Sequence, residues 1–380
     1  MKKVRLATMI RELKQIPDPR QAGKIRHSLH EILLIAIIAV IANANSSHEI
    51  HVFARCHHQW LKQFLSLKNG IPSRLTIDRV LRLVNPKHFN EAFLQIMKHI
   101  QSATKGSVVA LDGKAYHTVR EENGGTQVLY MVNAWCSANG MTLGQVETNG
   151  KGNEITTIPK VLHLLHLTGA TITMDAIGCQ RAIVDQIVKQ NKADYAIALK
   201  ENQPAMYREF QLYAQDCLAS PDGAGRFQYY KKTEKGHGRI ETREYYLFRD
   251  LSWFQDRKNW AKLNGFIMVR STRKRKGHEP SLETRYYITS LTQVEQAAHA
   301  VRSHWGIENS LHWVLDVVFK EDDWKTKDKN AASNLAVIRR ITANLLKAYP
   351  SKDTTPIKRY LCSLDINFLE SVLFNPSFFS

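Results

Sequence analysis

The apolar positions of the chain change their period near residue 105. Before that point they recur at helical spacing, as in "SHEIHVFARCHHQWLKQFLSL", and the nearly unbroken apolar run Ile32–Ala42 predicts a buried helix. The stretch "GIPSRLTIDRVLRLVNP" offers a helix start at its Pro-Ser pair and a stop at Pro86. Residues 1–100 are therefore predicted to form a helical domain. A small DNA-binding bundle of helix-turn-helix type is one interpretation, although such patterns also occur in domains that never contact DNA.

Strand-like runs follow residue 105. "GSVVALDG" is predicted to be a strand, "TQVLYMVNAWCSANGMTLGQVE" two further strands around a turn, and "EITTIPKVLHLLHLTG" a helix. Strand "ATITMDA", helix "CQRAIVDQIVKQN" and strand "DYAIALK" come next. The order β-β-β-α-β-α-β over residues 105–215 predicts an α/β fold with a mixed sheet covered by helices.

The segment from 220 to 292 is rich in strands again. It contains a predicted hairpin about Gly236–Gly238 and a second strand pair joined by a basic turn. We interpret it as a β insertion into the predicted core. Helices resume over residues 293–348, which are predicted to complete the core, and residues 349–380 form a helical tail.

Two of the apolar runs stop at a carboxylate. Asp112 and Asp175 are predicted to lie at the ends of the first and fourth strands, which can be neighbours at one rim of a mixed sheet. A single aspartate after a strand is more often a turn or N-cap residue, and the nearby Gly113 and Gly178 allow that interpretation. The joint pattern favours a shared chemical role.

A third acid is predicted on a helix that begins near Val301. Glu308, His312 and Asp316 are four residues apart, so they share one face of this helix. A carboxylate from that face, added to the two strand acids, would give three hard oxygen ligands, which Mg²⁺ or Mn²⁺ prefers. A pair of such ions serves phosphoryl transfer, because one activates an attacking water or 3′-hydroxyl and the other offsets charge on the leaving oxygen.

The charge of the chain indicates its partner. The 53 basic and 35 acidic side chains leave a formal charge of +18, which suits a polyanion, so nucleic acid is the leading partner class. An anionic membrane surface is the alternative, but the basic residues are spread along the chain rather than gathered on one helix or tail.

Other features predict a cytoplasmic protein without membrane association. The longest apolar run is shorter than the about 20 residues that cross a bilayer. The basic N-terminus lacks the apolar region of a secretory signal. The five cysteines are scattered and include no Cys-x-x-Cys pair, which predicts reduced thiols rather than a disulfide framework or structural zinc site.

Several stretches resemble a known family. "ALDGKAY", "GNEITTIPKVLHLLHLTGATITMDAIGCQ", "DYAIALKENQP", "GHGRIETREYY" and "HWGIENSLHWVLDVVFKEDD" are similar to transposases of the H-repeat-associated (ISAs-type) insertion sequences, within the DDE transposase superfamily. The likeness extends over most of the chain, including the N-terminal "IPDPR" and "GIPS".

The resemblance implies a fold and an activity. The fold is an RNase H-like catalytic core interrupted by a β insertion, with Asp112, Asp175 and Glu308 as the acids that hold two Mg²⁺ or Mn²⁺ ions. The activity is metal-dependent cutting and joining of DNA at transposon ends. Synapsis of two ends implies a homodimer, and the setting implied is the cytoplasm of a bacterium, at the nucleoid.

The chain departs from the wider superfamily around the third acid. Relatives there carry a tyrosine-arginine-glutamate-lysine signature, whose other positions, counted outward from Glu308, are Val301, His304 and Leu315 in this chain. Glu308 remains the best choice within "HWGIEN", Asp316 is a substitute, and the roles of His304 and His312 stay open.

Other polar residues are candidates for DNA contacts. Those predicted to bind phosphate near the ions are Lys114, Lys200, Asn202 and Gln203, and those predicted to grip the backbone from the insertion are His237, Arg239, Arg243, Arg273, Lys274, Arg275 and Lys276. The alternative for each set is a solvated loop or hairpin tip. Trp305 either stacks on an unpaired base or, as is more common, packs in the core.

Two other functions fit part of the pattern. A structure-specific nuclease on the same core would cut DNA but never join it. A DNA-binding protein that has lost catalysis would keep the charge and the helices but show no metal-dependent cutting.

Overall fold

The protein is described here from a computed structural model. It describes residues 2–98, 104–120, 125–148, 150, 152–220, 225–236, 238–323 and 326–374. Within these residues, no helix is both long and apolar enough to cross a membrane. The five cysteines form no disulfide with any described residue, as the scattered spacing predicted.

The N-terminal region is helical, as predicted. Its helices are α1 (Lys2–Lys14), α2 (Leu29–Ile41), α3 (Ser47–Cys56), α4 (His58–Leu61), α5 (Arg74–Leu83) and α6 (Pro86–Lys98). Helix α2 contains the long apolar run and is buried along nearly its whole length. The Ser73 hydroxyl accepts a hydrogen bond from the Thr76 amide at 3.3 Å, which confirms the helix start.

The N-terminal and C-terminal helices share one core. Helix α11 (Lys329–Ala348) packs against α2, α5 and α6, and two shorter helices follow it, α12 (Thr355–Leu364) and α13 (Ile366–Leu373). The side chain of Asn334 on α11 donates to the carbonyls of Leu81 and Val84, both at 2.9 Å. These bonds satisfy free carbonyls at the end of α5 and fix it to α11.

A nine-stranded sheet forms the rest of the molecule. Its strands are β1 (Val108–Arg120), β2 (Thr126–Cys136), β3 (Met141–Thr148), β4 (Thr171–Met174), β5 (Asp194–Leu199), β6 (Phe227–Gly236), β7 (Arg239–Phe248), β8 (Gly265–Arg275) and β9 (Ser281–Thr289). They lie in the order β3-β2-β1-β4-β5-β9-β8-β7-β6. β1, β2 and β3 are antiparallel, whereas β4 and β5 run parallel to β1. This is the mixed sheet that was predicted, and its first five strands have the RNase H-like order.

The strands predicted as an insertion continue the same sheet. β9 pairs with β5 from Ala196↔Thr289 to Leu199↔Tyr286, and β8, β7 and β6 extend the sheet beyond it. The hairpin prediction is confirmed, with β6 ending at Gly236 and β7 beginning at Arg239. His237, one of the candidate DNA contacts, lies outside the described residues.

Helices cover both faces of the sheet. α7 (Glu154–Leu164), α8 (Arg181–Asp185) and α9 (Pro204–Ala219) cover one face, where Val109 and Leu111 point. α10 (Val294–His304) covers the other face, where Val108 points. Because side chains alternate along a strand, Asp112 belongs to the face that carries α10.

The structure corrects two predicted positions. Asp112 does not end its strand, because β1 stays paired with β2 as far as Arg120↔Thr126. Only the parallel pairing with β4 stops beside it, at Leu111↔Met174. The helix expected to begin near Val301 instead begins at Val294.

Candidate active site

Asp112 lies where three strands meet. It pairs with Asn133 of β2, and the next residue on the β4 side, after Met174, is Asp175. The Asp112 side chain is 18% exposed. Burial, followed by the charges of Asp175, Glu308 and Glu154, raises its pKa to about 7. Four carboxylates therefore converge on this point of the sheet.

Asp175 is a helix cap as well as a member of this acidic group. Its Oδ1 accepts a hydrogen bond from the Ile177 amide at 3.2 Å, at the start of the 3₁₀ turn Ala176–Gly178. Burial raises its pKa, and the hydrogen bonds from Ile177 and Gly178 and the charge of Lys200 oppose that rise. The N-cap interpretation is thus correct, and it does not exclude an electrostatic role beside Asp112.

Glu308 approaches the sheet on an irregular helical segment. After α10 the chain forms two π-helical turns, Ile307–His312 and Val314–Val318. Gly306 precedes them and lies against the indole of Trp135, where an added Cβ would stand 2.4 Å from the ring. π-Helical turns of this kind are frequent at functional sites. Here they place Glu308 over the α10 face of the sheet.

The side chains of Asp112, Glu308 and His312 form a tight group, which we call the Asp–Glu–His cluster. One ligand atom from each of Asp112, Glu308 and His312 can be chosen so that all lie within 4.8 Å of one another. Asp175 adjoins this cluster through its charge on Asp112 but is not one of the three.

His312 is the neutral member of the cluster. Its Nδ1 lies 3.5 Å from Oδ2 of Asp112, and its side chain is 12% exposed. Burial, followed by the charges of Lys114 and Arg340, lowers its pKa to about 3. The imidazole therefore keeps a free lone pair at neutral pH, as a metal ligand requires.

Asp316 has a different partner. The Lys114 ammonium donates to its carboxylate and also lies 3.6 Å from Glu321. Two of the three helical residues predicted to share a face, Glu308 and His312, thus converge on Asp112, whereas Asp316 is held by Lys114. A π-helical turn is wider than an α-helical one, so residues four apart drift around the axis over two such turns.

A buried ion pair that the sequence analysis did not identify lies next to the cluster. Arg340 of α11 donates to Glu321 at 2.7 Å, and both side chains are fully buried. Arg340 also donates to Oδ1 of Asn133, the strand partner of Asp112, at 2.9 Å. Burial works to raise the pKa of Glu321, but the charges of Arg340, Arg339 and Lys114 outweigh it and leave that pKa lowered.

Glu154 is a further acid that the sequence did not single out. It begins α7, and burial followed by the charge of Asp175 raises its pKa. A Cβ on Gly113 would lie 2.2 Å from its carboxylate. The glycine after Asp112 therefore lets this acid approach the strand, which is a different role from the turn residue that was considered.

The candidate phosphate-binding residues after β5 surround Asp175. Lys200 is exposed, and its charge acts on the Asp175 carboxylate. The Asn202 side chain donates to the Ala176 carbonyl at 2.6 Å and that of Gln203 to the Cys179 carbonyl at 2.9 Å. These amides fix the turn that carries Asp175, and a DNA contact from them stays a prediction.

The basic residues of the extended sheet fall into two groups. Arg239, Arg243 and Arg273 surround the nearly buried carboxylate of Glu241 at 3.8, 2.7 and 3.0 Å. Lys274, Arg275 and Lys276 are exposed at the end of β8 and in the turn after it. Of these two groups, the arginines around Glu241 are paired with a carboxylate, whereas Lys274, Arg275 and Lys276 present their charge to solvent.

Trp305 lies between the extended sheet and the cluster. It is partly buried, and the Arg285 guanidinium lies 4.3 Å from the centre of its ring. The His304 side chain beside it contacts the Thr173 hydroxyl at 3.1 Å. Burial, followed by the charge of Arg285, lowers the pKa of His304 to about 4.

A mixed sheet of RNase H-like order with a group of acids on its central strands defines a class of metal-dependent phosphoryl-transfer enzymes, and sequence comparison identifies the family. The profile described as "Transposase DDE domain" matches residues 103–345, and that described as "DDE_Tnp_1-associated" matches residues 10–97. The chain belongs to the DDE transposase family, a class of enzymes that cleave and join DNA with divalent metal.

Named relatives cover nearly the whole chain. The "H repeat-associated putative transposase YhhI" of Escherichia coli K12 is 34% identical, over 97% of this chain and 98% of its own length. The "Putative transposase YncI" of Escherichia coli O157:H7 is 36% identical, over 94% of this chain and 92% of its own length. A solved piggyBac transposase synaptic complex with hairpin DNA aligns with 98% of this chain and 82% of its own, at a TM-score of 0.45 and 11% identity.

Proposed function

We propose that this chain cuts DNA at insertion-sequence ends and joins the freed 3′-hydroxyl to target DNA, using Asp112, Asp175 and Glu308 as the ligands of two divalent ions. The observation that supports this is the raised pKa of Asp112, to about 7, by burial and three neighbouring carboxylates. Four carboxylates this close to one another repel unless a cation lies among them.

The donor set fits Mg²⁺ or Mn²⁺. Carboxylate oxygens on β1, after β4 and on the π-helical segment are the hard ligands these ions take. When bound, such ions supply the activation of a water or 3′-hydroxyl and offset charge on the leaving oxygen. The contribution of the chain is to hold the three carboxylates on ordered elements, because β1 is paired with β4 as far as Leu111 and with β2 through and beyond Asp112.

DNA binding is assigned to the exposed positive charge. Lys200, whose charge acts on Asp175, would contact a phosphate next to the reacting one. Lys274, Arg275 and Lys276 would hold the backbone further along the duplex. The N-terminal helices would recognise the element ends, and a homodimer would bring two ends together.

The proposal is tested on a labelled element end with Mg²⁺ or Mn²⁺. Asp112→Asn, Asp175→Asn and Glu308→Gln should each lower cleavage by about 100-fold or more, because each removes a charged ligand from the reacting centre. Glu295→Gln, an exposed acid on α10, is the matched control and should cleave like the wild type.

Strand transfer separates this function from that of a nuclease. The wild type should join the cut end to a target plasmid, whereas a nuclease would leave it free. Equal cleavage by the wild type and the three variants would overturn the proposed site, and cleavage without joining would reduce the function to that of a nuclease.

A further inference from the structure

His312 contacts Asp112 in a way that differs from a hydrogen bond. Its Nδ1 lies 3.5 Å from Asp112 Oδ2, longer than the 2.7–3.2 Å of an N–H···O bond. Two atoms that bind one octahedral ion, each at about 2.1 Å, stand about 3 Å apart. With Glu308 also within 4.8 Å of both, the spacing resembles that of atoms that share an ion.

A second feature lies on the other side of the imidazole. Nε2 of His312 is buried and has no hydrogen-bond partner among the described residues. Glu321 acts on His312 only through its charge, and its Oε2 lies 3.6 Å from the Lys114 ammonium. Among the described residues, neither ring nitrogen is therefore held by a hydrogen bond, since the distance from Nδ1 to Asp112 is also too long for one.

We propose that His312 is a direct ligand of the ion held by Asp112 and Glu308. This inference rests on the proposed function and adds a nitrogen donor to a site otherwise made of oxygen. Imidazole binds Mn²⁺ better than Mg²⁺, since affinity for nitrogen donors is greater among transition metals. The site should therefore favour Mn²⁺ more than an all-carboxylate site would.

The test is spin-echo EPR of Mn²⁺ bound to the full-length protein, labelled with ¹⁵N-histidine. Direct ligation predicts a coupling to nitrogen that changes on ¹⁵N labelling. The coupling should vanish in His312→Asn and persist in His304→Asn, whose imidazole is the nearby control. The wild-type measurement needs no variant, so misfolding of His312→Asn would not prevent a decision.

Affinity provides a second readout. His312→Asn should weaken Mn²⁺ binding by about 10–100-fold, and Mg²⁺ binding by less, in calorimetric titrations. Mn²⁺ that binds in a manner dependent on Asp112 and Glu308 but without histidine coupling, or a coupling lost in His304→Asn, would overturn this inference and leave the proposed function intact. Mn²⁺ binding that ignores Asp112→Asn and Glu308→Gln would instead contradict the proposed metal site.

Discussion

Asp112 holds its proton more tightly in the folded protein than in the unfolded chain. Its pKa is about 7 in the metal-free fold, against 3.8 as its ordinary value, because burial and nearby carboxylates disfavour the charge. An acid with a raised folded-state pKa contributes stability that is fully present below pH 3.8 and is lost as the pH rises through about 7. The charged Asp112 side chain should thus lower the free energy of unfolding of the metal-free protein under neutral and basic conditions.

We predict that Asp112→Asn stabilises the metal-free protein at high pH. The amide stays neutral, so the variant should gain on the order of 2–4 kcal/mol over the wild type at pH 8 and little at pH 4. Thermal unfolding with EDTA across this pH range measures the difference. Adding Mn²⁺ should stabilise the wild type and not the variant. Glu295→Gln should follow the wild type, and a variant curve parallel to the wild type at all pH values would contradict the prediction.

At this scale the sequence points to candidate acids but not to their surroundings. Asp112, Asp175 and Glu308 could be selected because strand-end acids and a helical acid match a pattern of chemistry. Glu321 and Arg340 could not, because a charged side chain is expected to be exposed unless its partner is known. Their pairing exists only after α11 has packed against the sheet.

At the scale of elements, Gly306 lies close against the Trp135 ring at the point where the chain turns towards Glu308. Gly306 has helical backbone angles, so an alanine there would ordinarily favour the helix. Its Cβ, however, would stand 2.4 Å from the Trp135 ring, and either the indole or the segment must move. Glu308 follows two residues later, so the movement would reach the Asp–Glu–His cluster.

We predict that Gly306→Ala lowers stability by about 1–3 kcal/mol, as overpacking does, and weakens Mn²⁺ binding as well. Unfolding in urea and a Mn²⁺ titration measure the two effects. Gly225→Ala is the matched control, because no atom lies within 4 Å of its added Cβ. Normal metal affinity in Gly306→Ala would show that this contact does not position Glu308.

The helices and strands could be predicted where the hydrophobic periodicity of the sequence was strong. Alternating strands and helices gave the order of the core, but "LDGKAY" was interpreted as a strand end although β1 continues to Arg120. The polar residues after Asp112 stay in the strand because β2 pairs with them. The π-helical turns were also not foreseen, because the helical periodicity of the sequence does not distinguish them from α-helical turns.

At the scale of the whole molecule, the boundaries proposed from sequence do not coincide with separate cores. Residues 1–100 were predicted as a helical domain, and their helices pack on α11, near the other end of the chain. Similarly, the strands predicted as an insertion extend the central sheet. Composition shifts mark where the secondary structure changes, but not which elements share a core. That depends on contacts between residues hundreds of positions apart.

The net charge of +18 bears on DNA binding through its distribution. The exposed basic turn Lys274–Lys276 ends a strand pair of the extended sheet, so its charges are concentrated at one place.

Replacing these three residues by alanine should weaken DNA binding similarly for all sequences and reduce the slope of log K against log salt by about 2–3, since fewer counterions are released. The control with the same net charge replaces three scattered, exposed lysines, Lys24, Lys258 and Lys352. Fluorescence anisotropy from 50 to about 300 mM salt compares them. If the slope of log K against log salt falls equally in both triple variants, net charge rather than this turn governs binding. If the slope falls only in the variant of Lys274, Arg275 and Lys276, the DNA contact belongs to the extended sheet.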